Sequence, residues 1–177
     1  MKRLIAQIKH LLRNEDGNPS VEFVIAVPAM LIVFAGFFEN GLLMTRTIML
    51  DRAVDMTMRE LRLGHYPLPS KDLLKAEVCN RTVIFTNCLD AITVELTRVN
   101  TATWVLPTTA VACVDRDEDI EPVTALQIGQ QNDIMLVRIC VVQDAIFPTM
   151  GLGQLLAVDD KGGYALVSVS AFVTEPL

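Results

Sequence analysis

The alternation of apolar and polar positions divides the chain into segments of different kinds. Residues 1–17 form a basic leader in which Leu4, Ile5, Ile8, Leu11 and Leu12 recur at helical spacing, a weakly amphipathic pattern suited to an anionic membrane surface. Val21–Met44 (VEFVIAVPAMLIVFAGFFENGLLM) follows, and within it Phe23–Phe38 is an unbroken apolar run of 16 residues, punctuated only by Pro28 and ending at Glu39. At about 1.5 Å per residue, a helix over this stretch reaches about 36 Å, enough to cross a bilayer with some tilt. From Thr45 to Leu63 there is no Gly or Pro. Ile48, Leu50, Val54, Met58 and Leu61 predict one apolar helix face, with Asp51, Arg52, Asp55, Arg59 and Arg62 mostly opposite. Met44, Met49, Met56 and Met58 read as core filling. Gly64 is a suitable stop, with Pro67 and Pro69 beyond it, and Ser70 with Asp72 predicts the cap of a short helix to about Val78.

Beyond that point the period changes to two. Ile92–Val99 reads I-T-V-E-L-T-R-V, with one polar face; Ile134–Val142 is nearly all apolar and predicts a central strand; Tyr164–Val173 alternates again after Gly162-Gly163. Thr103–Leu106 and Val111–Val114 are shorter strand candidates. Four or five short strands against one long helix predict an α+β domain over residues 45–177, preceded by a transmembrane segment, 18–44, and the leader, 1–17.

Charge orients this plan. The chain carries 15 Lys and Arg against 21 Asp and Glu, a net of −6; the leader has Lys2, Arg3, Lys9 and Arg13 against Glu15 and Asp16, a local excess of +2. Basic residues before the apolar run place the N-terminus in the cytoplasm and the bulk of the chain outside, an asymmetry that Arg46 and Arg52 weaken without reversing. A cleaved secretory signal is the rival reading, but the run is long and no A-x-A-like site follows it. The acidic balance offers no overall attraction to nucleic acid.

Glu22 is a carboxylate one step inside the apolar run, where burial in lipid is costly. It lies in E-D-G-N-P-S-V-E-F, five residues after Gly17, where the leader's charge has just ended. Cleavage after Gly17 would create a new amine at Asn18 and make Glu22 the fifth residue of the product. The segment from Gly17 through V-E-F, Pro28 and the apolar stretch ending in Glu39-x-Gly41, continuing through LLMTRTIMLDRAVDMTMRELRLG to Gly64, resembles the TadE-like family, the minor pseudopilins of the tight-adherence (Tad/Flp) class of type IV pili. The resemblance implies a pilin-like fold, with a long N-terminal helix half in the membrane and half packed on a small, mostly antiparallel sheet. It implies that Gly17 is the last leader residue recognised by a prepilin peptidase. It also implies that Glu22 neutralises a subunit's free α-amine during packing, a role consistent with the need of a buried carboxylate for a cation. Phe23, Pro28, Phe38 and Glu39 then belong to the transmembrane part. The partners implied are the peptidase, other Tad pseudopilins and pilins, and inner-membrane lipid. The protein is then a single-pass component of a bacterial inner membrane with a periplasmic C-terminal domain, either remaining there or entering the pilus. Asn18-Pro19 departs from the pattern, because a proline two residues past the scissile bond restricts the backbone.

Cys79, Cys88, Cys113 and Cys140 all fall on the outward side. In an oxidising periplasm they read as two disulfides with three possible pairings. The preferred one joins Cys79 to Cys88, closing the loop NRTVIFTN, and Cys113 to Cys140 between two strands; free buried thiols are the alternative. With no CxxC, no Cys/His cluster and only His10 and His65, no metal or cofactor is expected. Asp115, Asp117 and Asp119 occupy the first, third and fifth places of an EF-hand-like loop, but Ile120 and Leu126 stand where glycine and glutamate are needed. A solvated turn is the better reading. Phe147–Gly163 (FPTMGLGQLLAVDDKGG) reads as a protruding loop with Phe147, Met150, Leu152, Leu155 and Leu156 as a contact surface or core contacts. No nucleophile, base and orienting group can be assembled, and no G-x-S-x-G occurs. The expectation is therefore an assembly subunit and not an enzyme, with no small-molecule substrate. The alternative is an unprocessed single-pass protein whose outer domain serves as a binding scaffold.

Overall fold

The computed structural model describes residues 19–107, 109, 111–116, 122–149, 155–156 and 163–175. Its first element, α1, is one uninterrupted helix, Pro19–Arg62. Proline suits the first helical position because its missing N–H would have no partner there. The helix ends in a Schellman turn: the Gly64 N–H donates to the Leu61 carbonyl and the His65 N–H to the Glu60 carbonyl, both at 3.1 Å. Gly64 accordingly adopts φ 74°, which a side chain would strain. A second helix, α2 (Lys71–Asn80), starts where the Ser70 hydroxyl accepts from the Leu73 N–H at 3.1 Å. One further turn, α3 (Cys88–Ala91), leads directly into β1 (Ile92–Val99).

β1, β2 (Ile134–Asp144) and β3 (Gly163–Val173) form an antiparallel sheet with β2 in the centre. The register places Val94 opposite Ile139, Leu96 opposite Val137, and Val141 opposite Leu166. These residues share one face with Ile92, Met135 and Tyr164, and with Leu50, Ala53, Val54 and Met58 of α1 and Leu74 and Val78 of α2 they make the core. The buried positions of α1 above residue 45 follow the i, i+4, i+8 spacing of Leu50, Val54 and Met58, flanked by Ala53 and Thr57. Ile48, expected on this face, is 65% exposed. It lies two residues from Leu50, about 200° around the helix. Met44 and Met56 are likewise exposed, so of the four methionines read as core filling only Met58 is fully buried.

Three strands replace the four or five expected, among the described residues. Thr103–Leu106 is exposed coil: the Asn100 side chain accepts from the Ala102 and Thr103 N–H groups, and Trp104 turns to φ 52°, which ends any extended run. Val111–Val114 crosses the sheet's outer face without joining its edge. The Thr93 hydroxyl donates to the Ala112 carbonyl, Arg138 donates to the Thr109 carbonyl, and Cys113 is bonded to Cys140. Thr93 and Cys140 are paired across β1 and β2, as are Glu95 and Arg138, so Thr109 and residues 111–113 lie over both strands. Their polar groups are taken by side chains of the sheet, not by a ladder. Residues 124–127 cover the outer edge of β1, with Leu96 exchanging backbone hydrogen bonds with Ala125 and Gln127.

Candidate functional site

The lower part of α1 is apolar all round. Met30, Leu31, Ile32, Val33 and Phe34 are consecutive and all exposed, and Phe23, Ile25, Phe37 and Phe38 are exposed as well. Five consecutive exposed apolar residues cover a full turn, which an amphipathic helix on a soluble domain does not do. α1 is long and apolar enough to cross a membrane. Glu22 is exposed at its start and Pro28 lies exposed in its interior without ending it. The leader and the residues of the expected cleavage point, Gly17 and Asn18, lie outside the described residues.

Where α1 meets the sheet, two charged residues are buried. Glu39 is 1% exposed. Its carboxylate accepts from the Ile146 N–H (3.0 Å) and the Phe147 N–H (3.1 Å), in the turn just after β2. The Phe147 ring meets the neighbouring Phe38 edge-on, with centroids 6.2 Å apart. Two turns further along the same face, Arg46 donates from Nη1 to the Asp144 carbonyl (2.8 Å) and to the Tyr164 hydroxyl. Its guanidinium also lies 5.7 Å from the Tyr164 ring centroid, within cation–π range. Arg46 therefore grips the start of β3 and is not a free cation on the membrane flank. Ala35, one turn below Glu39, is buried too. The covered face of α1 thus begins within the apolar run, about ten residues before position 45.

The cysteines are joined as Cys79–Cys88 (Cα–Cα 5.7 Å) and Cys113–Cys140 (5.3 Å), the preferred pairing. The first ties the end of α2 to α3. The second fastens the crossing segment to β2 and joins a strand to coil, since Val111–Val114 is not a strand. Asp115 is described, whereas Asp117 and Asp119 lie outside the described residues. Among the described residues no group of three His, Cys, Asp or Glu side chains could hold a metal ion.

His65 lies just past the end of α1, exposed, with Nδ1 on the Glu60 carboxylate. That hydrogen bond holds the Glu60 carboxyl below its ordinary value of 4.5. A cavity of about 460 Å³ lies beside this helix end, lined by Leu61, Tyr66, Pro67, Met135, Phe172 and Thr174 among others. Its wall is largely apolar, with Arg62 and Glu175 at its rim paired at 3.0 Å. Of the expected contact loop, Phe147 is half-buried on Phe38, Leu156 packs on the core and Leu155 is exposed; Met150 and Leu152 lie outside the described residues.

Sequence reasoning missed the Glu39 and Arg46 attachments and the buried pair of Glu95 and Arg138. The available signal was the spacing of seven between Glu39 and Arg46, which puts both on one helix face. Comparison with family models, with curated proteins and with solved structures returned no match for this chain.

Proposed function

We propose that this chain is a minor pseudopilin-like subunit of a Tad/Flp pilus assembly system, processed by a prepilin peptidase after Gly17 and acting in pilus initiation and surface adherence. The observation that carries the reading is the junction E-D-G-N-P-S-V-E-F followed by one unbroken 44-residue helix, exposed and apolar below and packed on a small disulfide-bonded sheet above. In this reading the protein works by packing, without catalysis or a cofactor. Lipid, and then neighbouring pilins and pseudopilins, cover the apolar half of α1. Glu22 is the carboxylate that meets the α-amine of Asn18, its own or a neighbour's, once helices assemble away from water. The sheet domain faces the periplasm and the leader faces the cytoplasm, by the charge asymmetry of the flanks.

Pro19 favours a second reading, in which the chain stays unprocessed in the inner membrane and its outer domain serves as a scaffold. The N-terminus of the protein recovered from membranes of cells expressing its own pilus system separates the two. A start at Asn18 is expected; a start at Met1 overturns the processing. Glu22→Ala is expected to insert and be cut normally while impairing assembly, and normal piliation in that variant would remove the role given to Glu22.

A further inference from the structure

We propose that the turn after β2, Ala145–Thr149, is a second membrane contact: a seat resting on the outer lipid interface, clipped to α1 by Glu39. The inference rests on the reading of α1 as a membrane span and goes beyond it by assigning lipid contact to a segment of the outer domain.

Between Glu22 and Glu39 there is no charged residue, and the 17-residue separation is about 26 Å along a helix axis, against a hydrocarbon core of about 30 Å. With Glu22 at the inner interface, Glu39 is still at the outer edge of the hydrocarbon. A bare carboxylate there is costly, and unpaired backbone N–H groups are costly at the same depth. The hydrogen bonds of the Ile146 and Phe147 N–H groups to the Glu39 carboxylate relieve both costs at once, and the residue is withdrawn from its surroundings. Pro148 has no N–H to satisfy.

A-I-F-P-T carries no charge. The Ile146 side chain is 49% exposed, Pro148 and Thr149 are exposed, and Phe147 is stacked edge-on against Phe38. This surface is joined through Phe147 to Phe38, which with Phe34 and Phe37 is exposed on α1. It stops abruptly on the other side: Asp144, the residue before the turn, is largely exposed and pairs with Arg116 at 2.6 Å. Lipid is the occupant that the position selects, because in the reading of α1 as a span lipid already surrounds Phe34, Phe37 and Phe38, the last of which the turn meets through Phe147. Burial of such a patch to about 5–10 Å is how interfacial segments bind bilayers.

The test uses the full chain in nanodiscs, with the single native tryptophan removed (Trp104→Phe) and one tryptophan restored at a time. Phe34→Trp reports the span, Phe147→Trp and Ile146→Trp report the seat, and Val123→Trp, 97% exposed and next to Thr124, whose carbonyl accepts from Lys71 at the start of α2, reports water. Ile146→Trp replaces an exposed side chain and keeps the test valid if Phe147→Trp disturbs the fold. The probes at 34, 146 and 147 are expected to lose most of their emission to bromine-labelled lipid. The seat probes should respond best to bromines placed near the headgroups, and position 123 only to aqueous iodide. Iodide quenching at 146 and 147 with lipid quenching at 34 would overturn the seat and leave the span intact. Protection of 146 and 147 from both quenchers would overturn it in favour of a protein cover. Silence at 34 as well would remove the membrane reading itself.

Discussion

Arg138→Met tests the packing of the outer sheet face. Arg138 is the one cation in the central strand, and its side chain is only 8% exposed, with that of Glu95 at 14%. Nη2 reaches both Glu95 carboxylate oxygens, at 2.7 and 2.6 Å, and Nη1 reaches the Thr109 carbonyl at 2.7 Å. Removing the cation leaves a covered carboxylate without a counter-charge, a loss of about 3–5 kcal/mol for a buried pair, against about 0–1 kcal/mol for a solvated one. The structure places this pair in the first class, because the segment bearing Thr109 and Cys113 lies over it. For a chain of this size the loss corresponds to a fall of about 6–20 °C in Tm. Pulse proteolysis of the detergent-solubilised chain across a urea series measures it. The double variant Glu95→Leu with Arg138→Met should recover most of the stability, since replacing both partners by apolar groups removes the stranded charge. A loss below about 1 kcal/mol in Arg138→Met, or no recovery in the double variant, would refute the burial argument.

The disulfides should contribute unequally. Sequence separations of 9 and 27 give about 2.6 kcal/mol for Cys79–Cys88 and about 3.6 kcal/mol for Cys113–Cys140 by loop entropy, so paired Cys→Ser variants should rank in that order in urea unfolding. Gly64→Ala forces a side chain into the left-handed region and should cost about 1–2 kcal/mol, seen as a lower urea midpoint with unchanged slope. Glu60 should titrate below its ordinary value in carboxylate NMR and rise toward it in His65→Ala. Because the folded-state value is the lower one, the small stabilisation by this pair is present above the ordinary value and lost as pH falls through the depressed one.

The regular elements were legible because their signals are local. The apolar run without charge and the Gly64 stop define α1 and its end; the Ser70 cap defines α2; and Ile92–Val99 alternates to the residue at which β1 begins and ends. β2 and β3 were likewise visible, short by two residues and one residue respectively. The errors lie where neighbours distant in sequence decide the outcome. Val111–Val114 has strand composition, but its partners are a hydroxyl on β1 and a cysteine on β2, so it lies across the sheet face. Ile48 and Met44 are apolar, yet the helical period turns them away from the sheet.

Composition and period by themselves determined that this protein has one long apolar helix, where that helix stops, three of its strands, and that its cysteines all follow that helix. Only the tertiary structure decided the strand order, the path of residues 111–113, and the fate of Glu39 and Arg46. Read along the chain, those two are a charge ending an apolar run and a cation on a membrane flank. In the fold each is buried against groups 107 and 118 residues away. Helix and strand formation depends on residues within a few positions of one another. Whether a charge can be buried depends on which donors and acceptors the packing brings to it.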